Sequence, residues 1–124
     1  MVGYIIHCAD IGAQTQKKEL ALKWGGRVLE EFKLQAANEK RLGIPTAPFM
    51  QGLESELACM KLQQGFVAGI VIPLWTALSD CLPKLKPCLE RAVLMKAHYE
   101  DCVAQLSDKE KPLGSPVASS NSPR

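Results

Sequence analysis

The stretch KKELALKWGGRVLEEFKLQAANEKRL, Lys17–Leu42, decides the fold. Leu20, Trp24, Val28 and Phe32 recur every four residues, the spacing that lines side chains along one face of an α-helix. Lys and Glu fill the opposite face. Gly25 and Gly26 interrupt this helix, each costing about 1 kcal/mol against Ala. They are either tolerated poor helix formers or places where a backbone or ligand comes close, and the sequence leaves both open. Gly43 ends the helix.

Outward from this helix, Ile44–Gln51 holds Pro45 and Pro48 and reads as an ordered loop. Its Ile44, Phe49 and Met50 are expected to pack inward. A second helix is expected over about Leu53–Leu78, kinked or interrupted at Pro73. Pro83 and Pro87 mark a connection at Cys81–Cys88. A third helix is expected over about Leu89–Leu106, with Leu89, Val93, Lys96 through Tyr99, Cys102, Val103 and Leu106 on its core-facing stripe. Met1–Ile11 is apolar and uncapped, either the last turns of a helix or a short buried strand. Ser107–Arg124 is poor in apolar residues and is expected to be a disordered tail. The predicted fold is all-α, with three main helices and one inward-packed loop in a single unit over residues 1–106.

Composition narrows the function. The chain has 124 residues, 47% hydrophobic and 23% charged, the balance of one soluble globular domain. Aromatics are only 6%, so aliphatic residues must carry the core. A net charge of +2 argues against nucleic acid or an anionic membrane as an electrostatic partner. Five cysteines, an odd number without a CxxC pair, read as free thiols in a reducing, cytoplasmic setting. Met1–His7 has no basic n-region and does not read as a secretory signal. The apolar run Gly65–Leu78, 14 residues with Pro73 inside, is too short to span a bilayer and reads as a buried core helix. Two histidines in all, His7 and His98, exclude a multi-histidine site built from this chain alone.

Two clusters carry chemistry. His7-Cys8-Ala9-Asp10 places three ligand-type side chains in four residues, although zinc needs three or four protein ligands and such a run also arises by chance. A carboxylate in an apolar segment needs a partner, and a cation is one of the few good ones. Gln63-Gln64-Gly65-Phe66 offers an amide that can donate and accept at once beside a ring that can stack, the chemistry for reading a purine edge. The plainer alternative is a surface glutamine and a core phenylalanine. Glu39-Lys40-Arg41 reads as a solvated helix end.

In order, these residues resemble the C-terminal part of the catalytic domain of class I 3′,5′-cyclic nucleotide phosphodiesterases. His7-Cys8-Ala9-Asp10-Ile11 is similar to the family's HCAD segment. Trp24, Val28, Glu31-Phe32 and Gln35 are similar to its W…(I/V)..EF..Q helix. Glu39, Gly43-Ile44-Pro45 and Pro48-Phe49-Met50 resemble the following loop. Gln63-Gln64-Gly65-Phe66 with Ile70-Val71 and Pro73-Leu74-Trp75 resembles the QxGF…(I/V)V.PL(W/F) helix, and Tyr99 falls on the closing helix. The resemblance spans about residues 3–100.

The resemblance implies hydrolysis of cyclic AMP or cyclic GMP to 5′-monophosphates at a pair of divalent metals, zinc and magnesium, with Asp10 the last metal ligand. Gln63 would bond the purine, Phe66 and Val28 would clamp its two faces, Phe49 would line the pocket and Trp24 would support its wall. The family's HNxxHxxD and HD motifs, and with them the histidine general acid, do not occur in these 124 residues, so no catalytic residue is assigned. Ala13, Ala36-Ala37 and Gln51-Gly52 also depart from the family pattern. Three readings follow: part of a phosphodiesterase whose N-terminal catalytic half is the missing partner, a non-catalytic relative acting as a binding or regulatory module, or an unrelated helical bundle.

Overall fold

The computed structural model describes residues 1–110, and no strand occurs among them. Five α-helices carry the fold: α1 (Val2–Asp10), α2 (Lys18–Leu42), α3 (Glu56–Phe66), α4 (Ile72–Cys81) and α5 (Lys86–Glu110). The N-terminal segment is thus a helix and not a strand. Its Tyr4 hydroxyl donates to the Leu74 carbonyl at 2.6 Å and ties α1 to α4.

Helix α2 lies where the sequence predicts, but its buried stripe is Ala21, Gly25 and Leu29. The expected face is half-open: Leu20, Trp24 and Val28 are 43%, 45% and 42% exposed. The same four-residue spacing holds one residue on, a rotation of about 100° about the axis. Ala21 and Gly25 take the inner face because they admit the short 3-10 turn Gly12–Thr15 at close range. Gly43, at φ +69°, closes α2. Its N–H bonds to the Lys40 carbonyl and that of Ile44 to the Glu39 carbonyl, so the last turn's acceptors are used.

The loop after α2 packs inward through Met50 and, in part, Ala47. Ile44 and Phe49 are 51% and 52% exposed, contrary to the expectation for them. Ser55 caps α3 by accepting from the Ala58 N–H at 3.3 Å.

Helices α3 and α4 are joined without a break by a π-helical turn, Val67–Val71, in which the Ile72 N–H reaches back to the Val67 carbonyl. Pro73 follows at the start of α4, and its missing N–H frees a carbonyl one turn earlier. The whole helix, Glu56–Cys81, has 26 residues and an 18-residue window of mean hydropathy 1.5 that is 22% buried. By length and composition alone it could cross a membrane, a longer element than the 14-residue apolar run suggested.

Helix α5 starts before Leu89 and continues past Leu106 to Glu110, so residues 107–110 of the expected tail are helical. The rest of that tail lies outside the described residues. The buried stripe of α5 is Ala92, Met95 and Tyr99. Val93 is exposed instead, while Leu89, Cys102, Val103 and Leu106 are half-buried.

The core is three adjoining clusters: Cys8, Val71, Trp75, Leu78 and Ala92; then Ala21, Val67, Met95 and Tyr99; then Leu29, Met50, Leu53 and Cys59. Arg91 binds the Gly12–Thr15 turn to α5 by donating from Nε to the Thr15 carbonyl at 2.7 Å. That turn leads from the end of α1 into α2, so this bond ties the start of α2 to α5.

Candidate functional site

A cavity of about 670 Å³ opens between the end of α1, α2, the Pro48–Met50 turn and α3. Asp10, Val28, Phe49, Gln63 and Phe66 all line it. They come from four separate stretches of chain, and only the packing of α2 against α3 and α5 brings them together. The lining is mostly apolar with a few polar ends, and the volume falls in the usual range for a small-molecule site, about 300–1,000 Å³.

Gln63 is the polar centre. It is 6% exposed, so it is not a surface glutamine. Its Nε2 donates to the Gly25 carbonyl at 3.1 Å. Among the described residues its Oε1 takes no protein donor, and it is not closed off from the cavity. The amide is therefore held by one end and open at the other, free to accept from a ligand N–H.

Gly25 makes that arrangement possible. A Cβ there would stand 3.1 Å from the Tyr99 hydroxyl, 3.3 Å from Gln63 Nε2 and 3.4 Å from Gln14 Nε2. Of the two readings left open for this glycine, close approach is the one realised. At Gly26 a Cβ meets nothing within 4 Å. The Tyr99 hydroxyl donates to Gln14 Oε1 at 3.3 Å, and Gln14 Nε2 donates to the Ala21 carbonyl at 3.5 Å. Burial raises the Tyr99 phenol above its ordinary value; the bond to Gln14 works against this, and nearby Cys102 adds a smaller upward push. The Tyr99–Gln14 pair from α5 and the Gln63–Gly25 bond thus come together around Gly25 at the cavity floor.

Phe66 is half-buried and also packs on the α4–α5 core cluster. Phe49 is held edge-on by Phe32, with ring centroids 5.5 Å apart at 71°. Trp24 does not line the cavity; it is exposed, with the Arg27 guanidinium 5.3 Å over its ring. Phe32, Lys61 and Gln14 line the cavity without having been singled out for it from sequence. Gln14 sits in the short polar run Gly12–Gln16, and no local pattern marks it.

Asp10 reaches the cavity but is exposed, so the buried-carboxylate argument for a cation at this residue does not hold. No group of three His, Cys, Asp or Glu side chains converges among the described residues. The residues present therefore do not by themselves fit the divalent-metal pair that the resemblance implies.

The chain matches the family model of 3′,5′-cyclic nucleotide phosphodiesterases over residues 1–92. It is 37% identical over 92 residues to a probable 3′,5′-cyclic phosphodiesterase, pde-3, of Caenorhabditis elegans, covering 73% of this chain and 13% of that protein. It is 31% identical over 110 residues to the mouse high affinity cGMP-specific 3′,5′-cyclic phosphodiesterase 9A, covering 88% of this chain and 20% of that protein. A 3′,5′-cyclic-AMP phosphodiesterase, isoform F, of Drosophila melanogaster is 28% identical over 100 residues, covering 80% of this chain and 15% of that protein. The chain thus spans about a fifth or less of the length of these relatives. With the family model matched over most of its length and an all-α fold to go with it, the chain belongs to the 3′,5′-cyclic nucleotide phosphodiesterase family.

Proposed function

We propose that this chain carries the purine pocket of a 3′,5′-cyclic nucleotide phosphodiesterase, which hydrolyses cyclic AMP or cyclic GMP to the 5′-monophosphate. The observation that carries the reading is the convergence of Asp10, Val28, Phe49, Gln63 and Phe66 on one cavity with the Gln63 amide held at one end. Gln63 bonds the edge of the base. Phe66 stacks on one face and Val28 closes on the other. Phe49, steadied by Phe32, covers the rim. The apolar lining keeps water from competing for the amide.

Asp10 is the one carboxylate this chain offers to a divalent-metal centre, zinc with magnesium beside it, whose other ligands lie outside these 124 residues. The isolated chain accordingly binds nucleotide without turning it over, and its natural partner is the N-terminal half of the catalytic domain. The Glu56–Cys81 helix is then a core helix of the larger domain and not a membrane span. Its buried stripe of Cys59, Gln63, Val67, Val71 and Trp75 supports this. Five unpaired cysteines are in keeping with a reducing, cytoplasmic setting.

The test is titration of the isotopically labelled chain with 5′-AMP and 5′-GMP, followed by NMR. Shifts should cluster at Val28, Gln63 and Phe66 and vanish in Gln63→Ala; scattered or absent shifts would reject the pocket. In parallel, cyclic AMP and cyclic GMP with magnesium should go unhydrolysed. Turnover that Asp10→Ala removes would overturn the assignment of the chain as a non-catalytic part.

A further inference from the structure

Gly65 stands well inside the unbroken Glu56–Cys81 helix, where glycine is the poorest helix former after proline. A glycine is needed in such a place either for its backbone or for its missing side chain. Its φ is not positive, so alanine adopts the same backbone without strain. Among the described residues, a Cβ at Gly65 would meet nothing within 4 Å, so packing within the chain does not exclude a side chain either. Gly65 differs in this from Gly25, whose Cβ would crowd Tyr99 and Gln63.

Gly65 nonetheless forms part of the large cavity's wall. Gly3, Gly26 and Gly69 are as open as Gly65 and do not line it. An α-helix turns about 100° per residue, so going round α3 from Gly65, Phe66 follows at about 100° and Gln63 at about 160°. Gly65 is exposed, Phe66 half-buried and Gln63 buried, so the three run from the cavity mouth to its inner wall. A purine that offers Gln63 the edge carrying N1 and the C6 substituent, with its ring on Phe66, turns its opposite side toward Gly65. That side carries N9, the nitrogen that bears the sugar. Lys61, one turn earlier on the same face of α3, also lines the cavity. Its ammonium suits the oxygens of a sugar–phosphate and not an apolar group.

We propose that Gly65 is a ligand-contact position, its bare backbone carrying the ribose of the bound nucleotide in the space a side chain would fill. This rests on the purine-pocket reading above and deepens it. The missing Cβ leaves helix stability lower than alanine would give and keeps the mouth wide enough for the sugar. Gly65 thereby sets which part of a nucleotide fits beside the helix and how deeply its base reaches Gln63.

The experiment titrates the 124-residue chain and its Gly65→Ala variant with 5′-AMP, 5′-GMP and 9-methyladenine, the last a base without a sugar, and follows binding by NMR. Gly65→Ala should raise the urea midpoint, as alanine does in open helix space, yet bind both nucleotides about tenfold or more weakly. Its binding of 9-methyladenine should be unchanged. Nucleotide affinity equal in parent and variant would overturn the proposal and leave the pocket standing. A matching loss for 9-methyladenine would put the base, and not the ribose, on Gly65 and overturn it as well. A lowered urea midpoint would make Gly65 a packing residue and reject the ligand contact. If the parent chain binds neither nucleotide, the pocket reading and this one fall together.

Discussion

Gly25 and Gly26 are neighbours of one type on one helix, yet they answer to different constraints. In an exposed helix, replacing glycine by alanine gains about 0.5–1 kcal/mol. Gly26→Ala should show that gain, because its Cβ enters open space. Gly25→Ala should lose stability instead, because the methyl group arrives 3.1 Å from the Tyr99 hydroxyl and 3.3 Å from Gln63 Nε2. Urea midpoints of the two variants should move in opposite directions, and Gly25→Ala should also weaken 5′-AMP or 5′-GMP binding where Gly26→Ala does not. Tyr99 supplies a pH signature. Its folded pKa lies above the ordinary value of about 10, so the native state holds its proton longer than the unfolded chain. Stability linked to this group is complete below pH of about 10 and is lost as pH rises from there through the folded pKa. Tyr99→Phe should flatten that alkaline decline while costing about 1 kcal/mol at neutral pH for the bond to Gln14. Tyr4, raised chiefly by burial and then by Cys8, keeps part of the slope in the variant. Guanidinium melts at neutral and alkaline pH would decide it.

At the scale of elements, the Glu56–Cys81 helix shows why a bad residue can be well placed. Its buried positions Cys59, Gln63, Val67, Val71 and Trp75 fall every four residues. In a regular α-helix each such step drifts about 40° from the face. The wider π turn at Val67–Val71 rotates less per residue and brings the face back, so Gln63 and Trp75 serve one surface. Pro73, unable to donate to the preceding turn, favours the wide turn where it is needed. The N-terminus of the same helix rests on one cap. Ser55→Ala removes the acceptor for the Ala58 N–H and should cost about 1 kcal/mol of stability, measurable as a lower urea midpoint with unchanged slope.

The whole molecule leaves much apolar surface uncovered. Val2 and Ile6 on α1 are 71% and 62% exposed, and Leu94 on α5 is 69% exposed. Surfaces of this kind are normally covered by other protein. The isolated chain should therefore bind a hydrophobic dye and melt broadly, and Ile6→Lys with Leu94→Lys should reduce dye binding while leaving helix content unchanged by circular dichroism. A sharp, dye-free transition in a monomeric sample would contradict this.

What the sequence determined by itself was local: helix type, the stop at Gly43, the irregularity near Pro73 and five of the residues that line the cavity. Each follows from spacing, glycine or proline chemistry, or an ordered set of motifs, all legible along the chain. Tertiary structure decided the rest. The inner face of α2 went to Ala21, Gly25 and Leu29 and not to Leu20, Trp24 and Val28: the Gly12–Thr15 turn packs closely where the side chains are small, and Leu29 meets Met50, Leu53 and Cys59 beyond it. Phe49 turned to the cavity rim while Met50 took the core. Gln14 joined Tyr99 across 85 positions of sequence, a pairing no local pattern encodes. Periodicity says that a helix has two faces; which one is buried depends on the partner that packs against it.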